Sequence, residues 1–172
     1  MPDVSDPHAD RDREIERFWS EARRRGKLES LLPGYFGAAP ITVVVPPAWS
    51  FGADADQADR LLALVLEGTK TATASAFEDY TDDDPVPERG SLGILLDGAG
   101  HPRALIATTE VSVVPFDEVD EEHAYAEGEG DRTLRQWRVD HEEFFTAVDP
   151  LGRGFRRDMP VVLEHFTVLY RH

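Results

Sequence analysis

Of the eighteen basic residues in this chain only two are lysine, and one of them, Lys70, lies in Gly68-Thr69-Lys70-Thr71-Ala72-Thr73 directly behind an amphipathic segment. Where arginine is the default cation, a retained lysine points to chemistry that guanidinium cannot supply, because an ammonium can lose its proton and arginine in practice does not. Two forces oppose each other at this position. The carboxyl end of a helix carries partial negative charge, which favours the ammonium and leaves Lys70 a cation for a phosphate or a carbonyl oxygen. Burial disfavours the charged form and would suit a general base, with Thr73, three residues on, as the hydroxyl it activates. The plainer alternative is a lysine at an exposed helix end.

A second group of reactive side chains is acidic. Glu127, Glu129 and Asp131 alternate with Gly128 and Gly130, four residues after His123. Clustered carboxylates beside a histidine are hard ligands, so a divalent metal is conceivable. Neither an H-E-x-x-H spacing nor a calcium-loop pattern is present, and no metal ligand is assigned. Asp131 stands three residues before Leu134 at a helix start, where capping of backbone N–H groups is its expected task. Glu127 and Glu129 are otherwise solvated charges.

Aromatic and basic residues complete the candidates. Trp137 is suited to stacking on a base, but it falls in the stripe of Leu134, His141 and Phe145 and fits a core equally well. His141 reads as a core or boundary histidine that could line one pocket edge with Arg138. Arg153, Arg156 and Arg157 surround Phe155, a pattern compatible with an RNA-facing loop or with a solvated turn.

The elements that must position these groups follow from periodicity. Residues 12–26 read as a helix through Ile15, Phe18, Trp19 and Ala22, with Arg23, Arg24 and Arg25 at its carboxyl end. Residues 41–45 form a short strand before Pro46-Pro47. A second helix over 56–67 carries Ala58, Leu61, Leu62 and Val65, and Gly68 suits the left-handed residue that ends it. Strands over 91–96 and 103–114 flank the hairpin loop Asp97-Gly98-Ala99-Gly100. A third helix spans 132–148, and a last strand 161–170 follows Pro160. The predicted class is α+β, a mixed or antiparallel sheet or small barrel with flanking helices.

Composition narrows the function. The chain has 172 residues, 41% of them hydrophobic, and a net charge of −16, which opposes sequence-blind gripping of a phosphate backbone. Any nucleic-acid contact must be local. No apolar run is long enough for a membrane span, and no membrane partner is expected. The polar, acidic segment 1–13 does not read as a secretory leader, and the lack of cysteine excludes disulfides and thiolate metal sites. A cytoplasmic location is the expectation, with residues 1–10 disordered.

With these residues in place, the chain resembles the longer bacterial form of the ASCH family, small domains built on a PUA-like β-barrel. The resemblance rests on the G-x-K-x-x-T signature at Gly68, Lys70 and Thr73, on Phe51-Gly52, Tyr80, Leu96-Asp97 and Pro115-Phe116, and on the 127–131 turn with Leu134 and Trp137-Arg138. It covers about 49–170 and implies an ASCH domain over 49–172 with a helical extension over 11–48.

Some family members are amidohydrolases of acetylated cytidine, and the resemblance implies Lys70 as proton acceptor, Thr73 as nucleophile and Glu127 as proton donor. The inserted Gly128-Glu129-Gly130-Asp131 leaves Glu129 and Asp131 as rival donors. It further implies Tyr80 and Arg89 as contacts to a nucleoside or single-stranded RNA, to which Glu129 of the acidic turn and the pocket-edge pair Arg138 and His141 are added as candidate contacts. Other longer members are described as metal-dependent ribonucleases, and ASCH domains in general as non-catalytic RNA- or ligand-binding modules, so hydrolase and binding module both stand. A protein-interaction domain with an acidic surface is a third class.

Overall fold

The computed structural model describes residues 7–25 and 44–172. Among these, helices α1 (Pro7–Arg25), α2 (Ala55–Glu67), α3 (Glu121–Glu127) and α4 (Leu134–Ala147) accompany strands β1 (Ala48–Trp49), β2 (Ala72–Ala76), β3 (Leu92–Leu96), β4 (Pro102–Pro115) and β5 (Pro160–Arg171). The strand order is β1-β3-β4-β5-β2. β1 runs parallel to β3, while β3–β4 and β2–β5 are antiparallel. The α+β class is therefore as expected, with β1 and β2 last in the strand order at either side.

Two compact units can be distinguished, one from the described residues up to Leu62 with 92–107 and 168–172, the other from 63–91 and 108–167. In the first, the helical stripe of α1 is the organising feature. Phe18, Trp19 and Ala22 are buried with Ile94, Leu96 and Leu105, and Ile15, Leu92, Leu169 and Tyr170 pack around them. Phe18 meets Tyr170 edge-on at 5.5 Å. The β3–β4 turn is held by Asp97, whose Oδ1 accepts the N–H groups of Ala99 and His101 at 3.0 and 2.9 Å. Burial alone would raise the Asp97 pKa, but the His101 N–H, the Arg103 guanidinium and the Ala99 N–H outweigh it and hold it low.

The second unit holds every residue of the candidate site. β2 pairs with β5 in the register Ala72↔His165, Thr73↔Glu164, Ala74↔Leu163, Ser75↔Val162 and Ala76↔Val161. Strand side chains alternate between faces, so Ala74 and Ala76 share one face with Val161 and Leu163. That face packs on Phe116, Val119, Ala124, Trp137, Phe145 and Met159. Thr73 and Ser75 lie on the opposite face, with Glu164 and Val162.

Several boundaries differ from expectation. α1 begins at Pro7, so residues 7–10 are helical, while residues 1–6 lie outside the described chain. Of the strand anticipated over 41–45, residues 41–43 lie outside the described chain, and Val44 and Val45 are not in a strand. The short strand falls instead at Ala48–Trp49, after the two prolines, where it pairs with Ile94 and Leu95. β2 was not anticipated: small residues in Ala-Thr-Ala-Ser-Ala have weak strand preference, and the partner strand β5 imposes the conformation.

Candidate functional site

The site starts at the end of α2. Its apolar stripe, Ala58, Leu62 and Val65, is buried, and Gly68 takes the left-handed conformation (φ +82°) that stops the helix. The next two amides turn back onto one carbonyl: Thr69 N and Lys70 N both donate to Leu64 O, at 2.9 and 3.0 Å. Thr71 then bonds Ala126 O, and Phe166 N donates to Thr71 O. This brings the motif beside the last turn of α3 before β2 begins.

α3 supplies the other half. Asp120 caps it by accepting from His123 N at 2.9 Å, and Gly128 ends it at φ +71°. A side chain there would drive its Cβ into the Thr69 carbonyl and to 3.0 Å from Lys70 N. Only glycine allows the α3 terminus and the motif to approach this closely.

Lys70 is buried, with 1% of its surface exposed. Its Nζ donates to Glu129 Oε1 at 2.6 Å and to Glu127 Oε2 at 3.3 Å. Glu127 is equally buried and is surrounded by donors. Oε1 accepts the Trp137 indole N–H at 2.8 Å and faces His123 Nε2 at 2.9 Å. Oε2 faces Lys70 and His141 Nε2, the latter at 3.4 Å. Burial alone would raise the Glu127 pKa, yet the Lys70 ammonium and the His141 ring outweigh it and hold the carboxyl well below its ordinary value. His141 shows the reverse balance. Burial lowers it, but the Glu127 carboxylate and its hydrogen bond raise it more, and the net shift is upward.

α4 delivers Trp137 and His141 from one face, four residues apart, their rings stacked at 4.1 Å. The helix is capped by Thr133, which accepts from Gln136 N at 3.2 Å. Asp131, anticipated as the cap, instead braces it: Oδ1 accepts from Thr133 N and Oγ1 at 2.9 and 2.6 Å. Asp131 is exposed and committed to this turn. Of the three carboxylates in the 127–131 segment, Glu127 and Glu129 are the ones at Lys70.

The anticipated residues thus divide. Lys70, Glu127, Glu129 and His141 converge. Thr73 is half-buried on β2, on the face turned away from the apolar side of β2, directly across the ladder from Glu164. Tyr80 is half-buried and its hydroxyl bonds Ser75 Oγ at 2.7 Å. Arg138 is exposed on α4 and donates to Asp117 O at 3.1 Å. Arg89 is exposed in the 81–91 loop. Neither arginine is among the four donors on Glu127.

Two participants in this shell carried other expectations from the sequence, of which the core placement of Trp137 is as found. His123 was weighed as a metal ligand and Trp137 as a stacking or core residue, and both direct a ring nitrogen at Glu127. The available signal was the spacing of His123 and Glu127, i and i+4 on one helix face. With Nε2–H directed at Glu127, His123 Nδ1 is a buried acceptor that has no hydrogen-bond partner among the described residues. The donor set does not suit a divalent cation: the Lys70 ammonium lies between the two glutamates, and among the described residues no three His, Asp or Glu side chains group around a metal position.

The family model described as ASCH domain matches residues 47–170. Two solved structures are similar along most of their length. A protein from Enterococcus faecalis V583 is 32% identical with a TM-score of 0.75, over 91% of this chain and 88% of that one. An ASCH domain from Lactobacillus crispatus JV V101 is 34% identical with a TM-score of 0.68, over 86% of this chain and 96% of that one. No curated protein matches significantly. Among the described residues no helix is long and apolar enough to cross a membrane. The match over residues 47–170 establishes that the chain belongs to the ASCH domain family.

Proposed function

We propose that this chain binds a nucleoside or a nucleotide end of single-stranded RNA at the signature segment, in the cytoplasm, with Lys70 and Glu129 meeting the ligand and Glu127 anchoring them. The observation that carries this reading is a lysine with 1% exposure held between two carboxylates, one of them buried and the other, Glu129, with 24% of its side chain exposed. Burying such a network costs more than packing apolar side chains of the same volume, so a ligand-directed role accounts for it better than stability does. Glu129 is the member that solvent reaches.

The same geometry favours binding over turnover. For Lys70 to accept a proton from Thr73, its Nζ would have to leave the two carboxylates to which it donates. Glu127, held ionised, is poorly suited to donate a proton. The hydrolytic reading, acetylcytidine cleavage with Lys70 and Thr73 as acceptor and nucleophile, therefore requires a ligand that breaks the Lys70–Glu129 contact.

Calorimetric titration with cytidine and a short single-stranded RNA tests the binding reading, using wild type, Lys70→Arg and Glu129→Gln. Affinity is expected to fall roughly tenfold or more in Lys70→Arg. Unchanged affinity in both variants, with the fold intact, overturns the reading. Chromatography of acetylcytidine incubations, alongside RNA digestion with and without manganese, separates the classes. Product that disappears in Lys70→Arg while binding persists supports hydrolysis, and binding that weakens in salt without product supports the module.

A further inference from the structure

On the other face of β2 lies a second polar group that the Lys70 network does not use. Glu164 sits in the middle of β5, in Val161-Val162-Leu163-Glu164-His165-Phe166, and only 7% of its surface is exposed. It directly opposes Thr73 in the β2–β5 ladder. Among the described residues its carboxyl accepts one side-chain hydrogen bond, from Thr108 on β4, whose hydroxyl donates to Oε2 at 3.2 Å. No ion pair to Glu164 exists among the described residues. Two residues along β2, Ser75 shares the face with Thr73 and holds the Tyr80 hydroxyl at 2.7 Å. Burial raises the Glu164 pKa, and the Thr108 bond only partly offsets it.

A carboxyl more than nine-tenths buried, with one hydroxyl donor and no cation, costs stability that an apolar residue would not. It also offers acceptor capacity that the interior leaves unused. In either protonation state it keeps an oxygen able to accept an N–H group, and three hydroxyls, from Thr73, Ser75 and Tyr80, occupy the same side of the strand. Carboxylates accept from exocyclic amino groups of bases, and such charge-assisted bonds are about twice as strong as neutral ones.

We infer that Glu164 is a specificity residue of the ligand site: across the ladder from Thr73 and positioned by Thr108, it accepts N–H groups from the edge of the bound base. The inference rests on the nucleoside-binding reading above and adds which chemistry the ligand must present. Ligands with an amino group on the base edge are selected over those with no N–H there.

Calorimetric titration with cytidine and with 3-methyluridine, which carries no N–H on its base, tests this in wild type, Glu164→Gln and Thr108→Val, each checked by thermal melting. Wild type is expected to favour cytidine, Glu164→Gln to lose roughly tenfold in cytidine affinity with 3-methyluridine changed less than about twofold, and Thr108→Val to show a smaller loss confined to cytidine. Should Glu164→Gln fail to fold, the Thr108→Val pattern decides by itself. Folded variants that lower both ligands equally, or neither, overturn the assignment of Glu164 while leaving nucleoside binding intact. Absence of binding to wild type overturns the nucleoside reading itself and this inference with it.

Discussion

The Trp137 indole N–H donates a 2.8 Å hydrogen bond to Oε1 of Glu127, ten residues earlier in the chain. The tryptophan is therefore a core side chain and a polar partner at once: its ring lies 5.2 Å from Phe116, while its nitrogen helps a buried carboxylate remain ionised. Packing and electrostatics of the second unit meet in this residue.

Trp137→Phe keeps most of the apolar surface and deletes that donor. Stability is expected to fall by about 1–3 kcal/mol, in the range for leaving a buried acceptor short of a partner. Urea unfolding at neutral pH measures it, and an unchanged midpoint would show that His123 alone satisfies Oε1.

Lys70→Met leaves Glu127 buried without its strongest positive neighbour. The expected loss is about 3–5 kcal/mol. Adding Glu127→Gln in the same chain removes the stranded charge, so the double variant should be more stable than Lys70→Met alone. A double-mutant cycle of denaturation midpoints reads the coupling directly.

The opposed shifts of Glu127 and His141 define a window of pH. Glu127 is held low when folded, so its contribution is present above the ordinary glutamate value of about 4.3 and is lost as pH falls through the lowered one. His141 is raised when folded, so its contribution is complete below about 6.5 and fades as pH rises through the raised value. His101, raised chiefly by its hydrogen bond to Glu14, titrates in the same direction. The difference between wild type and His141→Gln isolates the buried ring: it should be largest near pH 5–6 by these reference values and shrink on the alkaline side. A difference independent of pH contradicts the Glu127–His141 coupling.

Glu164→Gln should stabilise the fold at pH 7. Its carboxyl is raised by burial, so the charged form weakens the folded state above the ordinary carboxylate range, and the amide removes that cost. A gain of about 1–2 kcal/mol is expected at pH 7, vanishing near pH 4 where the wild-type group is protonated folded or unfolded. Thermal melts at the two pH values suffice. Destabilisation at both would mean that Thr108 depends on the carboxylate.

Gly128→Ala combines a left-handed backbone with the clash against Thr69 and Lys70 N. A loss of about 1–3 kcal/mol is expected from strain alone. Because the backbone displaced is that of the signature lysine, ligand affinity should fall together with the melting temperature.

How much of this was legible beforehand depends on whether a signal was local. The stripes of α1 and α2 were visible because their apolar residues recur at helical spacing, and Phe18, Trp19, Ala22, Ala58, Leu62 and Val65 are indeed buried. Lys70 stood out through scarcity and motif. The four-donor shell of Glu127 did not, because it is drawn from the α2 end, α3 and α4, and no single window contains it. Glu164 left one overlooked trace, an acidic residue inside an otherwise apolar strand run. The strand Ala72–Ala76 left none, since its small residues are held by β5 and not by their own preference.

The two glycines flanking Glu129, both with positive φ, give the 2.6 Å contact between Glu129 and Lys70 a further meaning. A carboxylate on such a short tether is present at the ammonium at an effective concentration that a free ligand rarely matches. It is an internal competitor: an anionic group arriving at Lys70 has to displace Glu129 first, whereas Glu127, with donors on both oxygens, stays where it is. On the proposed binding reading, the chain sets its own threshold for which ligands gain access to its lysine, and lengthening that tether or removing its charge lowers the threshold without altering the lysine at all.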